Sequence, residues 1–122
     1  MEITSFLPEP GSYAQGAGAA SVERMLFVSG QVPETPEDGV PDDFDAQCRL
    51  AWRNVRAVLD AADMSLENLV KVTIFLSDRR YRAANAKIRH EVLGEHRPAL
   101  TIIITGIYDE AWLLEIEGVA VA

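Results

Sequence analysis

Cysteine, long apolar runs and basic residues are all scarce in this sequence. Cys48 is the single cysteine, so no intramolecular disulfide can form and a reducing compartment is favoured. No apolar run approaches the ~20 residues of a membrane-spanning helix, and no signal peptide opens the chain. Only 11 Lys and Arg stand against 19 Asp and Glu, which gives a formal net charge of −8. These absences predict a cytoplasmic protein without membrane contact.

The acidic balance argues against nucleic acid as the main partner, because phosphate binding requires a basic stripe that releases counterions. It suits a small ligand or a cationic partner. No metal signature is present, since His90 and His96 lie six residues apart and Cys48 has no partner motif. With 48% hydrophobic and 25% charged residues, the composition predicts one globular domain over residues 1–122.

Hydrophobic periodicity divides the chain into short strands and two helices. Prolines mark segment 7–12 as a turn and segment 33–41 as a surface loop. The predicted strands are 13–21, 25–30 (a buried strand), 69–76, 99–107 and 112–121, with a further strand at Ile3–Phe6 left open. The predicted helices are 42–62, with Asp42 or Asp43 as N-cap, and 79–93, with Gly94 as C-cap.

Each helix is predicted to have one apolar face, and the middle strand is predicted to alternate between two faces. In helix 42–62 this face consists of Phe44, Cys48, Ala51, Val55, Leu59 and Ala62. In helix 79–93 it consists of Tyr81, Ala84, Ile88, Val92 and Leu93. In strand 69–76, strict alternation assigns one face to Val70, Val72, Ile74 and Leu76, and the other to Leu69, Lys71, Thr73 and Phe75.

The order ββαβαββ predicts an α+β fold in which two helices cover one face of a four- or five-stranded sheet. Residues 102–104 are all isoleucine, so both faces of that strand are apolar. Such a second face is too apolar to be left in water. A homo-oligomer that packs these faces together is favoured over a monomer with a mildly apolar open face.

Short motifs occur in order along nearly the whole chain. They are Ser12–Gly16 (SYAQG), Phe27–Pro33 (FVSGQVP), Asn54–Leu59 (NVRAVL), Leu69–Asp78 (LVKVTIFLSD), Gly94–Ala99 (GEHRPA) and Leu114–Val121 (LEIEGVAV). Together they resemble the Rid family of reactive intermediate or imine deaminases, also called YjgF-like or L-PSP-like proteins. One departure is Ser12, where the family motif has proline.

The resemblance implies a chorismate-mutase-like fold, with two helices on one face of the sheet, assembled as a homotrimeric barrel. It also implies small-molecule clefts between subunits, where imines and enamines such as 2-aminoacrylate are hydrolysed without metal or cofactor. Hydrolysis of this kind needs a cation for the substrate carboxylate, a group that positions water, and donors that orient the nitrogen.

Position 100 is where the chain departs from that chemistry. The resemblance implies a substrate-binding arginine directly after Pro98 and Ala99. Arginine suits this role because its planar guanidinium binds a carboxylate in a bidentate manner. Leu100 offers neither charge nor donor. Whether another arginine replaces it stays open, and the candidates, all predicted to be surface charges, are Arg79, Arg80, Arg82, Arg89 and Arg97. The two histidines are predicted to be solvated or structural.

The other candidate site residues are assigned by the same resemblance. Glu115 matches the water-positioning carboxylate, although Glu115 and Glu117 alternatively form a solvent-facing pair. Tyr13 borders the cleft or packs beside a turn, and Asn85 donates to the ligand or caps within the interface. The remaining residues expected to line the cleft are Ser29, Gly30, Leu100, Thr101 and Ile102.

Two functions follow from these expectations. The first is a hydrolytic deaminase for a small imine, enamine or related intermediate, but not for the usual 2-imino acids because of Leu100. A neutral or cationic substrate is then expected, since Glu115 without an arginine would repel an anion. The second is a non-catalytic Rid-fold protein that binds a small molecule or a partner. Endoribonuclease activity fits poorly with the net charge of −8.

Overall fold

Six strands and two α-helices make up the fold in a computed structural model that describes all 122 residues. The strands are β1 (Glu2–Glu9), β2 (Tyr13–Ala20), β3 (Met25–Gln31), β4 (Leu69–Leu76), β5 (Ala99–Ile104) and β6 (Leu114–Val121). The helices are α1 (Phe44–Ala61) and α2 (Arg82–Leu93), and a short 3₁₀ turn at Arg79–Tyr81 precedes α2. Both predicted helices and the additional N-terminal strand are therefore confirmed.

All six strands form one sheet in the order β1-β2-β5-β4-β6-β3. β5 runs parallel to both of its neighbours, whereas the other pairs are antiparallel. The β1–β2 hairpin joins the rest of the sheet through one register pair, Ala14 with Ala99. The sheet is larger than the four or five strands predicted, because the hairpin adds a full strand at its edge.

Both helices pack on one face of the sheet and enclose the core. α1 begins after Asp43, whose carboxylate accepts a hydrogen bond from the Ala46 amide at 3.1 Å. α2 ends at Gly94, whose φ of 58° favours glycine. The buried cluster includes Phe44, Cys48, Ala51, Trp52, Val55, Leu59, Val72, Ile74, Leu76, Ile88, Leu93, Leu114 and Ile116. Neither helix combines the length and the apolar content that a bilayer crossing requires.

Several predicted boundaries need correction. Residues 7–9 belong to β1 rather than to a turn, and Pro8 is accommodated because β1 is an edge strand. β3 is the opposite edge of the sheet, so it is mostly exposed instead of buried, and only Val28 is buried. β5 ends at Ile104 instead of residue 107, and β6 begins at Leu114 instead of residue 112.

A bulge in β4 changes which residues face the core. Leu69 pairs with Ala120 whereas Lys71 pairs with Val119, so two steps along β4 match one step along β6. Leu69 is consequently buried together with Val72, Ile74 and Leu76, while Val70 is only partly buried. The face predicted for these two residues is wrong, because strict alternation fails at the bulge.

The sheet face away from the helices, here called the open sheet face, carries exposed apolar side chains. Met25, Phe27 and Ile103 are 57%, 71% and 43% exposed. They alternate along their strands with residues that pack against the core, such as Leu26 and Ile104. This agrees with the prediction that the second face is apolar.

Candidate functional site

Glu115 of β6 lies on the open sheet face with its side chain across the end of β3. A Cβ atom at Gly30 would lie 2.7 Å from Cδ of Glu115 and 3.0 Å from its Cγ. A larger residue at position 30 would therefore displace the carboxylate. β3 reaches this point through a register shift between Val28 and Gln31. The structure thus brings Glu115 and Gly30 together, and Ser29, which precedes Gly30 in β3, is exposed.

A pocket of about 370 Å³, here called the open-face pocket, opens beside Glu115. It is lined by Phe75, Thr105, Gly106, Ile107, Tyr108 and Glu115. Tyr108 is 96% exposed and stands at the rim. The pocket offers a carboxylate that can orient water, but no arginine or lysine that could hold a substrate anion.

Gln47 of α1 fixes the segment that leads into β6, and sequence analysis missed it. Its side chain is buried, and its amide nitrogen donates to the carbonyl oxygens of Pro41 at 2.8 Å and Ala111 at 3.0 Å. Its amide oxygen accepts from the Leu113 backbone N–H at 2.8 Å. Since one buried side chain ties both loops to α1, it positions the strand that carries Glu115. The signal in the sequence is a polar residue on the inner side of a helix.

A second cavity, here called the helix-face cleft, lies on the other side of the sheet. Its volume is about 680 Å³, within the range of small-molecule sites. It is lined by Leu76, Arg79, Arg82, Ala83, Asn85, Ala86, Arg89, Ile102 and Ile104. The cleft therefore combines apolar strand residues with three arginines from α2 and the turn before it.

Two buried polar side chains of α2 line this cleft. Asn85 is 1% exposed, and neither its amide oxygen nor its amide nitrogen has a hydrogen-bond partner. Arg89 is 4% exposed; its Nε and Nη2 donate to the Gly11 carbonyl oxygen at 3.2 and 2.8 Å, while its Nη1 has no partner. Burial lowers the pKa of Arg89, with opposing contributions from Tyr13 and Cys48. The prediction that Arg89 is a surface charge is wrong, whereas Arg79 and Arg82 are exposed.

The predicted site residues are divided between the two sides of the sheet. Leu100 pairs with Val72 and packs against the core, so it faces the helices. Thr101 points the other way, and its hydroxyl oxygen accepts a hydrogen bond from Nζ of Lys71. Ile102 lines the helix-face cleft together with Asn85. Within one chain, Leu100, Ile102 and Asn85 are therefore separated from Gly30, Thr101 and Glu115.

Tyr13 and the histidines belong to the connections around the hairpin. The Tyr13 ring lies beside Gly11, whose carbonyl binds Arg89, so it stands next to the buried guanidinium. His90 bonds to the Ser12 hydroxyl, and His96 Nε2 bonds to the Leu69 carbonyl at 2.7 Å. Both histidines thus have structural contacts.

Cys48 has no chemistry of its own in the folded protein. It is fully buried in the core, and burial, together with the nearby Asp45, raises the pKa of its thiol to about 12. The thiolate is therefore not formed near neutral pH. No group of three or more His, Cys, Asp or Glu side chains is placed to hold a metal ion.

Known proteins resemble this chain along almost its whole length. The family described as endoribonuclease L-PSP matches residues 7–122. A RutC family protein of Pyrococcus horikoshii is 34% identical over 121 residues, which cover 97% of this chain and 94% of the relative. A 2-iminobutanoate/2-iminopropanoate deaminase of Salmonella typhimurium is 32% identical over 115 residues, 91% of this chain and 88% of that one. The crystal structure of YyfB, of the Rid protein family from Yersinia pestis, shares the fold, with a TM-score of 0.86 and 21% identity over 100% of both chains.

Proposed function

This chain belongs to the endoribonuclease L-PSP family, also called the Rid family, and we propose that it hydrolyses the C=N bond of a small imine or related reactive intermediate, including the imine that an enamine forms by tautomerisation. The observation that carries the proposal is the Glu115 carboxylate held across Gly30 at the open-face pocket. A relative named as a 2-iminobutanoate/2-iminopropanoate deaminase supports the reaction type.

In the proposed reaction, Glu115 orients a water molecule toward the imine carbon and accepts one of its protons. The water oxygen bonds to that carbon while the C=N double bond becomes a single bond and the nitrogen is protonated. The nitrogen then leaves as ammonia, and a carbonyl group forms in its place. Water is the single co-reactant that this balance requires.

The proposed assembly is a cytoplasmic homotrimer whose open sheet faces pack into a barrel. Two observations support it: the open sheet face exposes Met25, Phe27 and Ile103, and the predicted site residues are split between the two sides of one sheet. A cleft between subunits would join the open-face pocket of one protomer to the helix-face cleft of the next. Light scattering at micromolar concentration should give about three times the 13.4 kDa chain mass; a monomer would refute the shared cleft.

Leu100 sets the substrate apart from the usual 2-imino acids. Its aliphatic side chain has neither charge nor hydrogen-bond donor for a carboxylate, so we propose a substrate whose binding does not depend on position 100. A second candidate function is non-catalytic binding of a small molecule or partner, and the missing anchor favours it. Cleavage of RNA is not proposed, because the net charge of −8 opposes phosphate binding.

Imine hydrolysis tests the proposal directly. Imines are generated from a panel of amino acids and amines with the matching oxidases, and semicarbazide traps what remains. We expect hydrolysis of at least one imine that Glu115→Gln abolishes and that Glu117→Gln, a change on the same strand, preserves. For 2-iminopropanoate, wild type should be slow and Leu100→Arg faster.

Two outcomes would contradict the proposed function. Wild-type rates on 2-imino acids equal to those of the Salmonella typhimurium relative would show that Leu100 does not disable the usual activity. If no imine in the panel is hydrolysed in a Glu115-dependent manner, the binding function replaces the hydrolase.

A further inference from the structure

We propose that the helix-face cleft binds the carboxylate of a small organic acid through Arg89 and Asn85, so that the anion anchor lies on α2 instead of at position 100. Anion binding in the cleft stands on its own geometry; its role in holding a substrate rests on the proposed function. The sequence expectation of a neutral or cationic substrate would then be replaced by that of an acid whose carboxylate lies against α2.

Unused hydrogen-bonding groups are the first support. Buried side-chain nitrogen and oxygen atoms almost always have partners, yet Nη1 of Arg89 and both amide atoms of Asn85 have none. The two residues are four positions apart, so they lie on the same face of α2. These atoms lie just beneath the surface of the cleft, so we propose that a small side-chain movement on binding lets a carboxylate accept from Nη1 and from the Asn85 amide nitrogen. The Asn85 oxygen would remain for a hydroxyl or amino donor on the same ligand.

Charge is the second support. The chain as a whole carries a net charge of −8, but the cleft is lined by Arg79, Arg82 and Arg89 and by no acidic residue. The ion pairs of the protein are Arg49 with Glu91, Arg80 with Asp78 and Arg97 with Glu95, so none neutralises the cleft. Three arginines without counterions in a concave, partly apolar site concentrate positive potential where an anion would bind.

Arg89 is also held in place before any ligand arrives. Its two hydrogen bonds to the Gly11 carbonyl fix the plane of the guanidinium and leave Nη1 free. Leu76, Ile102 and Ile104 give the cleft an apolar wall. A charge-assisted hydrogen bond is strengthened under these conditions, because fewer water molecules compete for the donor.

Calorimetric titration of the full-length protein tests binding independently of turnover. The probes are lactate, inorganic phosphate and, as an uncharged match, lactamide. We expect saturable lactate binding that exceeds phosphate binding, and roughly tenfold weaker binding of lactamide. Arg89→Met and Asn85→Asp should each weaken lactate binding roughly tenfold or more. Lys87→Met, which removes one exposed charge from the same helix, should leave it unchanged.

Asn85→Asp keeps the size of the side chain and leaves the Arg89–Gly11 contact intact, so it tests the site even if Arg89→Met does not fold. No saturable binding of lactate, or equal binding by wild type and Asn85→Asp, would overturn the proposal. Phosphate binding tighter than lactate would overturn the assignment to a carboxylate. Lactate binding retained in Glu115→Gln, together with loss of hydrolysis, separates this site from the proposed catalytic residue.

Discussion

Replacing Gly30 by alanine would force the Glu115 carboxylate to move. The added Cβ would lie 2.7 Å from Cδ of Glu115, whereas carbon atoms in contact are about 3.5 Å apart. Oε2 of the same carboxylate lies nearer still, so the end of the side chain must move by more than about 0.8 Å, which requires it to rotate away from β3. Because the obstructing atoms are the end of a flexible, half-buried side chain that can rotate into solvent, the cost lies at the low end for overpacking, about 1 kcal/mol. The lower flexibility of alanine in the unfolded chain offsets about 0.4–1 kcal/mol of it. We therefore expect Gly30→Ala to lower the free energy of unfolding by at most about 0.6 kcal/mol.

A double-mutant cycle with Glu115→Ala isolates this contact, because that substitution removes the three atoms nearest to the added carbon. In the Glu115→Ala background, Gly30→Ala should instead stabilise the protein by about 0.4–1 kcal/mol. Urea unfolding at one pH compares the four proteins. Gly16→Ala is the control, since its added carbon meets no atom within 4 Å and should act equally in both backgrounds.

An equal effect of Gly30→Ala in the two backgrounds would show that Glu115 does not lie across Gly30, and the geometry of the proposed site would fail with it. Where the coupling is found, the same variant measures how much the carboxylate position contributes to turnover. A misplacement near 1 Å costs up to about 100-fold in rate. Gly30→Ala should therefore lose activity while it keeps lactate binding in the helix-face cleft.

Three other predictions concern the supporting structure. Gln47→Glu replaces a buried donor to two carbonyl oxygens by a carboxylate, so thermal unfolding should show a loss of about 2–4 kcal/mol that the exposed Gln15→Glu does not. Burial raises the pKa of Cys48 to about 12, so with increasing pH its thiol ionises first in the unfolded chain. Raising the pH from 7 to 10 should therefore destabilise wild type by about 1.4 kcal/mol relative to Cys48→Ala, measured by urea unfolding. A stability difference between the two proteins that does not change with pH would contradict the burial of the thiol. Gly118→Ala would place a carbon 3.0 Å from the Lys71 carbonyl oxygen, and it should cost about 1–3 kcal/mol with no rescue by a side-chain substitution.

The helices could be predicted from the sequence because burying one face leaves an apolar residue every third or fourth position. α1 shows this well, since Asp43 caps it and Phe44, Cys48 and Val55 are buried. The bulge in β4 could not be predicted from β4 alone. It depends on β6, where Gly118 leaves the room that the Leu69 side chain occupies. A period of two along one strand contains no information about the side chains of its neighbour.

The candidate site could be predicted only in part. The family resemblance pointed to Gly30 and Glu115, which the sheet brings together. Sequence alone could not show that Leu100 lies on the opposite side of the sheet, because this depends on the parallel register with β4. Arg89 is one of several arginines in or near α2, and its residue type alone does not distinguish it from the exposed ones. Its burial follows from the packing of the β1–β2 turn against α2. The spacing of four from Asn85 was the signal available.

The attachment of the β1–β2 hairpin has a consequence for how the protein opens. The hairpin pairs with β5 through Ala14 and Ala99 alone. Two arginine side chains from the rest of the chain also bind its backbone: Arg89 donates to the Gly11 carbonyl, and Arg97 donates to the Glu9 carbonyl, each at 2.8 Å. With so little shared ladder, the hairpin can detach as a unit while the core of β4 and β6 stays folded. Its amide protons should then exchange with solvent well before those of the central strands. Detachment of the hairpin also breaks the hydrogen bonds between the Arg89 guanidinium and the Gly11 carbonyl. Arg89 lines the helix-face cleft, so opening of the hairpin and the orientation of this guanidinium in the cleft are governed by the same equilibrium.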